Sequence, residues 1–435
     1  MNIEQWGLAE LDVTGRDVTA AIFGLHGETR YVEAFSRSDQ DLLRFSPDRP
    51  GRWSYQLVDR TGAEVGAGEL TCTPATADNH GPVVLAEPYR FGYADGTPHL
   101  PLGTRLSQWH RQDQAQRDAT VRQLQQGPFT KIIMDVVPEG SAAVASEEEL
   151  DRVEEAVVRM AELGIQTELV LLSRDLVAAD GVGWADHLRR VVARFAAYRT
   201  ISWCLASDPD CWRVDGVDER FFDDALRLLA EVDHGQRLRT IRAGLDFDFG
   251  RRLITHCSLR HDEPRVCSTL TQRYRKPVVV DDLGAEGDED LPAHSRSAED
   301  LVNDIWEATC RGGAGGHAEF YRSGWSRAGG ELQGEAADRL AFLRETIQAA
   351  PPGLRYGSAA HDASTLEVPG RFYLQYLGAH RFRHRSFDLP GDARFRVEVL
   401  DTWNMTTEVV ADGVSGDYRL ELPRRLYNAV RITRC

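Results

Sequence analysis

KIIMDVVPEGSAAVASEEELDRVEEAVVRMAELGIQTELVLLS, residues 131–173, decides the fold. It opens on a short apolar run rich in β-branched residues, "KIIMDVV" (131–137), which reads as a buried strand. Ser146 follows, with Glu149 three residues on, and this spacing predicts a helix start in which each side chain caps the other's backbone. "SEEELDRVEEAVVRMAELG" continues with helical periodicity, and "TELVLLS" (167–173) is a second strand. A strand, a helix and a strand in this order make a unit of parallel sheet.

The same unit repeats in both directions. Upstream, "LPLGT" (100–104) precedes a helical stretch at 113–126. Downstream, "TISWCLA" (200–206), "LRTIRA" (238–243), "RLITHCSL" (252–259), "KPVVVDDL" (276–283) and "GGHAEFY" (315–321) are strand-like, with helices or loops between them. Eight such strands over roughly 250 residues predict an α/β fold with a (β/α)8 TIM barrel. Outside this core the texture is all β. Residues 1–76 carry short strands and turns such as "SPDRPG", which suits a small N-terminal β-sandwich. "PPG" (351–353) marks a second boundary, beyond which alternation predicts a C-terminal β-sandwich. The expected domains are thus 1–76, 77–352 and 353–435.

Composition narrows the partners. Lys and Arg number 51 against 68 Asp and Glu, a formal net charge of −17, so the average surface repels phosphate backbones and anionic lipid. No nucleic acid and no membrane partner is expected. The N-terminus has acids and no apolar core of a signal peptide, and no stretch of 18 apolar residues occurs, so the expected location is cytoplasmic. The seven cysteines are scattered without a C-x-x-C pair and read as reduced thiols. Homo-oligomerisation is left open.

In a barrel the chemistry sits at the C-terminal ends of the strands. The fourth strand ends in Ser207-Asp208, the seventh in Asp281-Asp282, and the eighth in His317-Ala318-Glu319. Carboxylates that flank a glycosidic bond can protonate the leaving oxygen and activate or supply the nucleophile. Thr255-His256 is read at the end of strand six, and Trp109 follows strand one, where an aromatic face suits a sugar ring. Each has a plainer reading. An Asp after a strand often caps the next helix, and a His in "ITHCS" can be a satisfied core residue. His256, His317 and Asp282 lack tight ligand spacing, so no metal is assigned. There is no phosphate loop or dinucleotide fingerprint, and no cofactor is expected.

These stretches resemble a bacterial family of glycoside-hydrolase-like proteins with clan-A barrels, an N-terminal immunoglobulin-like domain and a C-terminal collagen-binding-like β-domain. "LLRFSPDRPGRWSYQL" (42–57), "YADGTPHLPLGT" (93–104), "PFTKIIM" (128–134), "KPVVVDD" (276–282), "RGGAGGHAEFY" (311–321) and "VLDTWNMT" (399–406) carry the resemblance in one order. The family places Asn-Glu after strand four, with Glu as acid/base, where this chain has Ser207-Asp208. It places Asp-Glu after strand seven, with Glu as nucleophile, where this chain has Asp281-Asp282. Its His-Asn after strand five is replaced by Arg242-Ala243, and a basic residue of strand two by Ile133. Trp109, His256, His317, Glu319 and Trp325 fit its pattern.

The resemblance implies a carbohydrate-active barrel, with Asp208, Asp282 and Glu319 as catalytic candidates. Trp109, Arg242, His256, His317 and Trp325 are substrate-binding candidates, and the partner is a small carbohydrate or glycoside. Each Glu to Asp change withdraws a carboxyl by roughly 1.5 Å. A retaining gap of about 5–5.5 Å would then open toward about 7–8 Å, in the range of inverting enzymes. A glycosidase with an altered acid pair is the expected function. A barrel that binds a sugar, a glycosylated metabolite or a partner without hydrolysis is the alternative.

Overall fold

A computed structural model of the 435-residue chain describes residues 1–86, 89–178, 183–214, 216–288, 295–322, 324–357 and 363–435. At its centre eight parallel strands close into a barrel. They are Gly103–Arg105, Lys131–Asp135, Gln166–Val170, Ile201–Ser207, Arg239–Ala243, Cys257–Arg260, Val278–Asp282 and Ala314–His317. The ring closes where Gly103 pairs with Gly316 and Val279 with Ala314. Strand eight is mostly glycine for a steric reason. A Cβ on Gly315 would meet Ile305 of the covering helix at 2.9 Å, and one on Gly316 would meet the Asp281 backbone at 2.7 Å.

The helices begin where capping residues stand. Ser146 and Glu149 form the reciprocal cap of Glu147–Glu162, Ser297 caps Ala298–Cys310, and Asp218 caps Glu219–Val232. Their apolar faces pack on the outward side chains of the strands, in one cluster that includes Ile132, Met134, Leu169, Trp203, Val280 and Trp306. None of the helices among the described residues is long and apolar enough to cross a membrane.

Two β-regions flank the barrel. Toward the N-terminus, a five-stranded sheet and the three-stranded sheet Ala9–Asp12, Gln40–Phe45 and Phe35–Arg37 enclose a core of Phe23, Phe45, Trp53 and Leu70. Phe23 and Phe45 stack at 4.0 Å between ring centroids. This region is pinned to the barrel through Glu154, which takes Arg44 at 2.5 Å and Arg194 at 2.7 Å. Toward the C-terminus, a six-stranded sheet and a two-stranded one follow the last helix, Ala336–Gln348. Tyr376 of the larger sheet stacks on Trp306 of a barrel helix. Between the first sandwich and the barrel, the short sheet Val83–Ala86, Arg90–Tyr93 and Pro98–His99 lies under the barrel, and its Phe91 packs on Leu238, Val279 and Ala314 at the strands' N-terminal ends.

Among the strand ends that differ from the sequence expectation, two bear on the site. The sixth strand spans Cys257–Arg260, not 252–259. "RLIT" reads as strand by its β-branched residues, but it turns, with Ile254 N–H donating to the Arg251 carbonyl. The eighth strand stops at His317. Glu319 and Phe320 leave the barrel and join a separate small sheet with Ala285–Gly287.

Candidate active site

The inside of the barrel carries charge in two layers. The lower one is closed. Lys131 from strand two donates to Asp281 of strand seven at 2.7 Å and to Glu168 of strand three at 3.2 Å. Arg242 of strand five donates to the other Glu168 oxygen at 3.0 Å, and Ser258 of strand six donates to Asp281 at 2.6 Å. Two cations and two anions balance. All four charged residues are buried, so each depends on its partners for the solvation it has lost. Burial alone would push Asp281 up, but Lys131 and Arg242 outweigh it and hold the carboxyl well below its ordinary value. Lys131 is likewise opposed by burial and held above its ordinary value by Asp281 and Glu168. Beneath this layer a cavity of about 20 Å³, lined by His99, Gln166, Glu168 and His256 among others, has room for about one water.

The upper layer is the mouth. Strand four ends in a bulge between Cys204 and Ser207. Asp208 follows with φ of +54°, a left-handed backbone that Asp tolerates better than most residues. Its amide donates to the Arg242 carbonyl, so the turn is anchored on strand five. Its carboxylate accepts from Arg260 Nη1 at 2.8 Å, and Arg260 Nε stands 3.4 Å from Asp282. Asp208 and Asp282 therefore meet across the mouth with the guanidinium of Arg260 between them. Burial works against the charge of Arg260, and the two aspartates outweigh it and raise its pKa. This layer is open to solvent: the Arg260 side chain is 39% exposed.

Asp135 is a further acid at a strand end, the last residue of strand two. It is buried, and burial, the largest effect, raises its pKa, although Arg105 and Arg242 pull the other way. The strand ends thus hold carboxyls in different settings: Asp208 and Asp282 share one cation, and Asp135 is buried with its pKa raised. Such a split is how environment assigns acid and base roles.

The other predicted residues lie elsewhere. Arg242 is in the closed layer, one step below the mouth. His256 precedes strand six, at the opposite end of the barrel, edge-on to Phe91, and burial pushes its pKa down to about 4. Trp109 and Trp325 are almost wholly buried in the apolar cluster outside the strands. They do not form an aromatic wall at the mouth. His317 also points outward from strand eight, against the Phe129 ring at 5.0 Å.

Glu319 is fully buried and accepts the N–H groups of Gln333 at 2.8 Å and Gly334 at 3.1 Å. Beside it Glu286 accepts those of Glu335 and Ala336, at 2.7 and 3.1 Å. These two carboxylates hold down the loop that starts the helix Ala336–Gln348. The expected single cleft of Asp208, Asp282, Glu319, His256 and Trp109 is therefore not what the chain builds. Asp208 and Asp282 come together there, and Glu319, His256 and Trp109 do not join them.

The sequence reading missed Arg260 and Asp135. Arg260 was hidden by the misplaced sixth strand. Asp135 is the last residue of the strand in "KIIMDVV" and was available to the rule that chemistry sits at strand ends.

Comparison with known proteins agrees with this architecture. Residues 361–433 match a family described as a domain of unknown function, DUF5605. No curated protein matches in sequence. Among solved structures, a "putative glycoside hydrolase" from Bacteroides vulgatus is similar over 100% of both chains, with a TM-score of 0.87 and 22% identity. A family 5 glycoside hydrolase from the same organism is similar over 81% of this chain and 94% of its own, with a TM-score of 0.64 and 12% identity. A third structure, described as a glycoside hydrolase, covers 81% of this chain and 97% of its own at the same TM-score. At these identities the likeness is one of fold: an eight-stranded parallel barrel flanked by β-sheet regions at both ends.

Proposed function

We propose that the barrel mouth is a glycosidase-type site that hydrolyses an O-glycosidic bond of a small carbohydrate or glycoside. The observation that carries the reading is the meeting of Asp208 and Asp282 across the mouth, from strands four and seven, beside a buried third acid, Asp135. The Arg260 guanidinium stands against both aspartates, at 2.8 Å from Asp208 and 3.4 Å from Asp282. That suits a base that activates water and does not suit a general acid. Asp135, favoured neutral by burial, is the better proton donor to the leaving oxygen. Asp282 takes the base role, and Asp208 holds Arg260 in place. Glu319 has both oxygens engaged by backbone N–H groups and takes no part. The sandwich regions, read as 1–76 and 353–435, brace the barrel.

One observation favours a second reading. The Arg260 guanidinium stands between the two carboxylates, where a substrate oxygen would be. If it stays there with ligand bound, the barrel binds a sugar without cleaving it.

A panel of aryl glycosides, with proton NMR of the first-formed anomer, separates the two. Hydrolysis with inversion is expected, because short-armed aspartates leave room for water. Asp282→Asn should lower kcat by at least about 10²-fold, and Glu319→Gln, if folded, should leave it within a few-fold. Binding of sugars without turnover by the wild type, or full activity in Asp282→Asn, would select the binding barrel.

A further inference from the structure

Outside the barrel, where strand eight gives way to the last helix, Glu286, His317 and Glu319 bring one ligand atom each within 4.8 Å of one another. All three residues are buried. Two carboxylates so close in a dry site repel each other when both are charged. The four backbone N–H groups that they accept offset part of that charge but bring no cation.

The third member supplies the independent sign. His317 is 1% exposed. One ring nitrogen, Nδ1, lies 3.0 Å from Thr104 Oγ1, which also accepts the indole N–H of Trp325 at 2.9 Å. The other, Nε2, is buried with no hydrogen-bond partner among the described residues. An imidazole fixed through one nitrogen and free at the other is how a metal-binding histidine is held, and ligating carboxylates are likewise oriented by hydrogen bonds to their oxygens. The same chain stretch sets the geometry: the Glu319 amide donates to Ser326 Oγ at 2.8 Å, and Gly334 has no room for a side chain beside Glu286.

We propose that Glu286, His317 and Glu319 bind one divalent first-row transition ion, such as Zn2+ or Mn2+. Two carboxylates and one imidazole are a donor set for these ions, whereas Ca2+ prefers more oxygens and Mg2+ prefers water. The ion would tie the exit of strand eight to residues 333–336 and so fix the wall of the barrel next to the mouth. This site is separate from Asp135, Asp208 and Asp282, and the proposal stands whether or not the mouth hydrolyses a glycoside.

The test uses the full chain. After exhaustive dialysis against EDTA, it is titrated with Zn2+ by calorimetry and with Mn2+ by electron paramagnetic resonance, since Mn2+ ignores the exposed thiols of Cys211 and Cys435. One equivalent per chain is expected, with a rise in Tm that EDTA reverses. Glu286→Gln and His317→Gln should weaken binding by at least tenfold. Thr104→Val, which keeps the shape and removes the contacts that orient His317 and hold the Trp325 indole, should weaken it about 10- to 100-fold. The Thr104 variant also keeps the test decisive if a ligand variant fails to fold. No saturable binding of either ion at 100 times the protein concentration would overturn the proposal. So would equal affinity in the wild type and the Thr104 variant.

Discussion

Two charge networks occupy the inside of one barrel, a single layer apart, and they solve the same problem differently. In the lower layer Lys131, Glu168, Arg242 and Asp281 pair with one another out of water, with Arg242 Nε left without a partner among the described residues. In the mouth Asp208, Arg260 and Asp282 are joined by two contacts, one of them long, and remain partly wet. A buried ion pair contributes little net stability against an apolar pair of the same shape, yet losing one partner is severe because the other is stranded. A half-exposed pair can be opened at little cost because water replaces the partner. The lower network is therefore a fixed floor, and the upper one is a set of groups that a ligand can rearrange.

Breaking the floor should have the largest effect. Lys131→Met leaves Asp281 without its cation and Glu168 with Arg242 alone, and should lower unfolding free energy by about 3–5 kcal/mol in urea titration at neutral pH. The loss should shrink in the double variant Lys131→Met with Asp281→Leu, which removes both sides of the strongest contact.

Acid should break the floor next. The folded-state pKa of Asp281 lies below its ordinary value of 3.8. Its contribution is therefore fully present above that value and drains away as pH falls through the lower, folded one. Stability measured from pH 5 down to pH 2 should fall steeply, and Asp281→Asn should flatten that part of the curve.

At the mouth the same kind of change should be mild. Arg260→Gln should cost no more than about 1 kcal/mol. A loss as large as that of Lys131→Met would mean that the mouth, too, is a structural clamp.

Asp135 should give the smallest effect, and one of opposite sign. Its folded pKa is raised, so its contribution is complete below the unfolded value and is lost as pH rises through the folded one. Asp135→Asn should then stabilise by about 0.5–1 kcal/mol at pH 8 and bring no gain at pH 4. Functional groups held against their own stability behave in this way.

Much of this architecture was legible in the chain. Ser146 with Glu149, the apolar runs from Lys131 onward and the glycines before His317 each have one local meaning, and together they specify an eight-stranded barrel. The mouth was legible only in part. Asp208 and Asp282 stand at strand ends that periodicity fixes. Arg260 was not found, because a strand read as beginning five residues too early, at 252, ended before it. Glu319 and His317 looked like mouth residues because strand eight was carried two residues too far; past His317 the chain leaves the barrel, and its polar groups serve the loop before the last helix. Trp109 and Trp325 follow strand ends as a sugar platform would, but the apolar layer outside the barrel claims them. Which side of a strand-end residue faces the mouth depends on the last one or two residues of the strand, and sequence patterns fix those least well.

The division of labour at the mouth can be tested through the leaving group. A proton donor matters when the leaving group is a poor one and hardly matters when it is an activated phenol. Kinetics of the wild type and Asp135→Asn should be compared on an alkyl glycoside and on a dinitrophenyl glycoside of whichever sugar the protein accepts. The account predicts a loss in kcat of about 10²–10⁴-fold on the alkyl substrate and less than about tenfold on the activated one. Equal losses on both substrates, or no loss on either, would contradict Asp135 as the acid of this barrel.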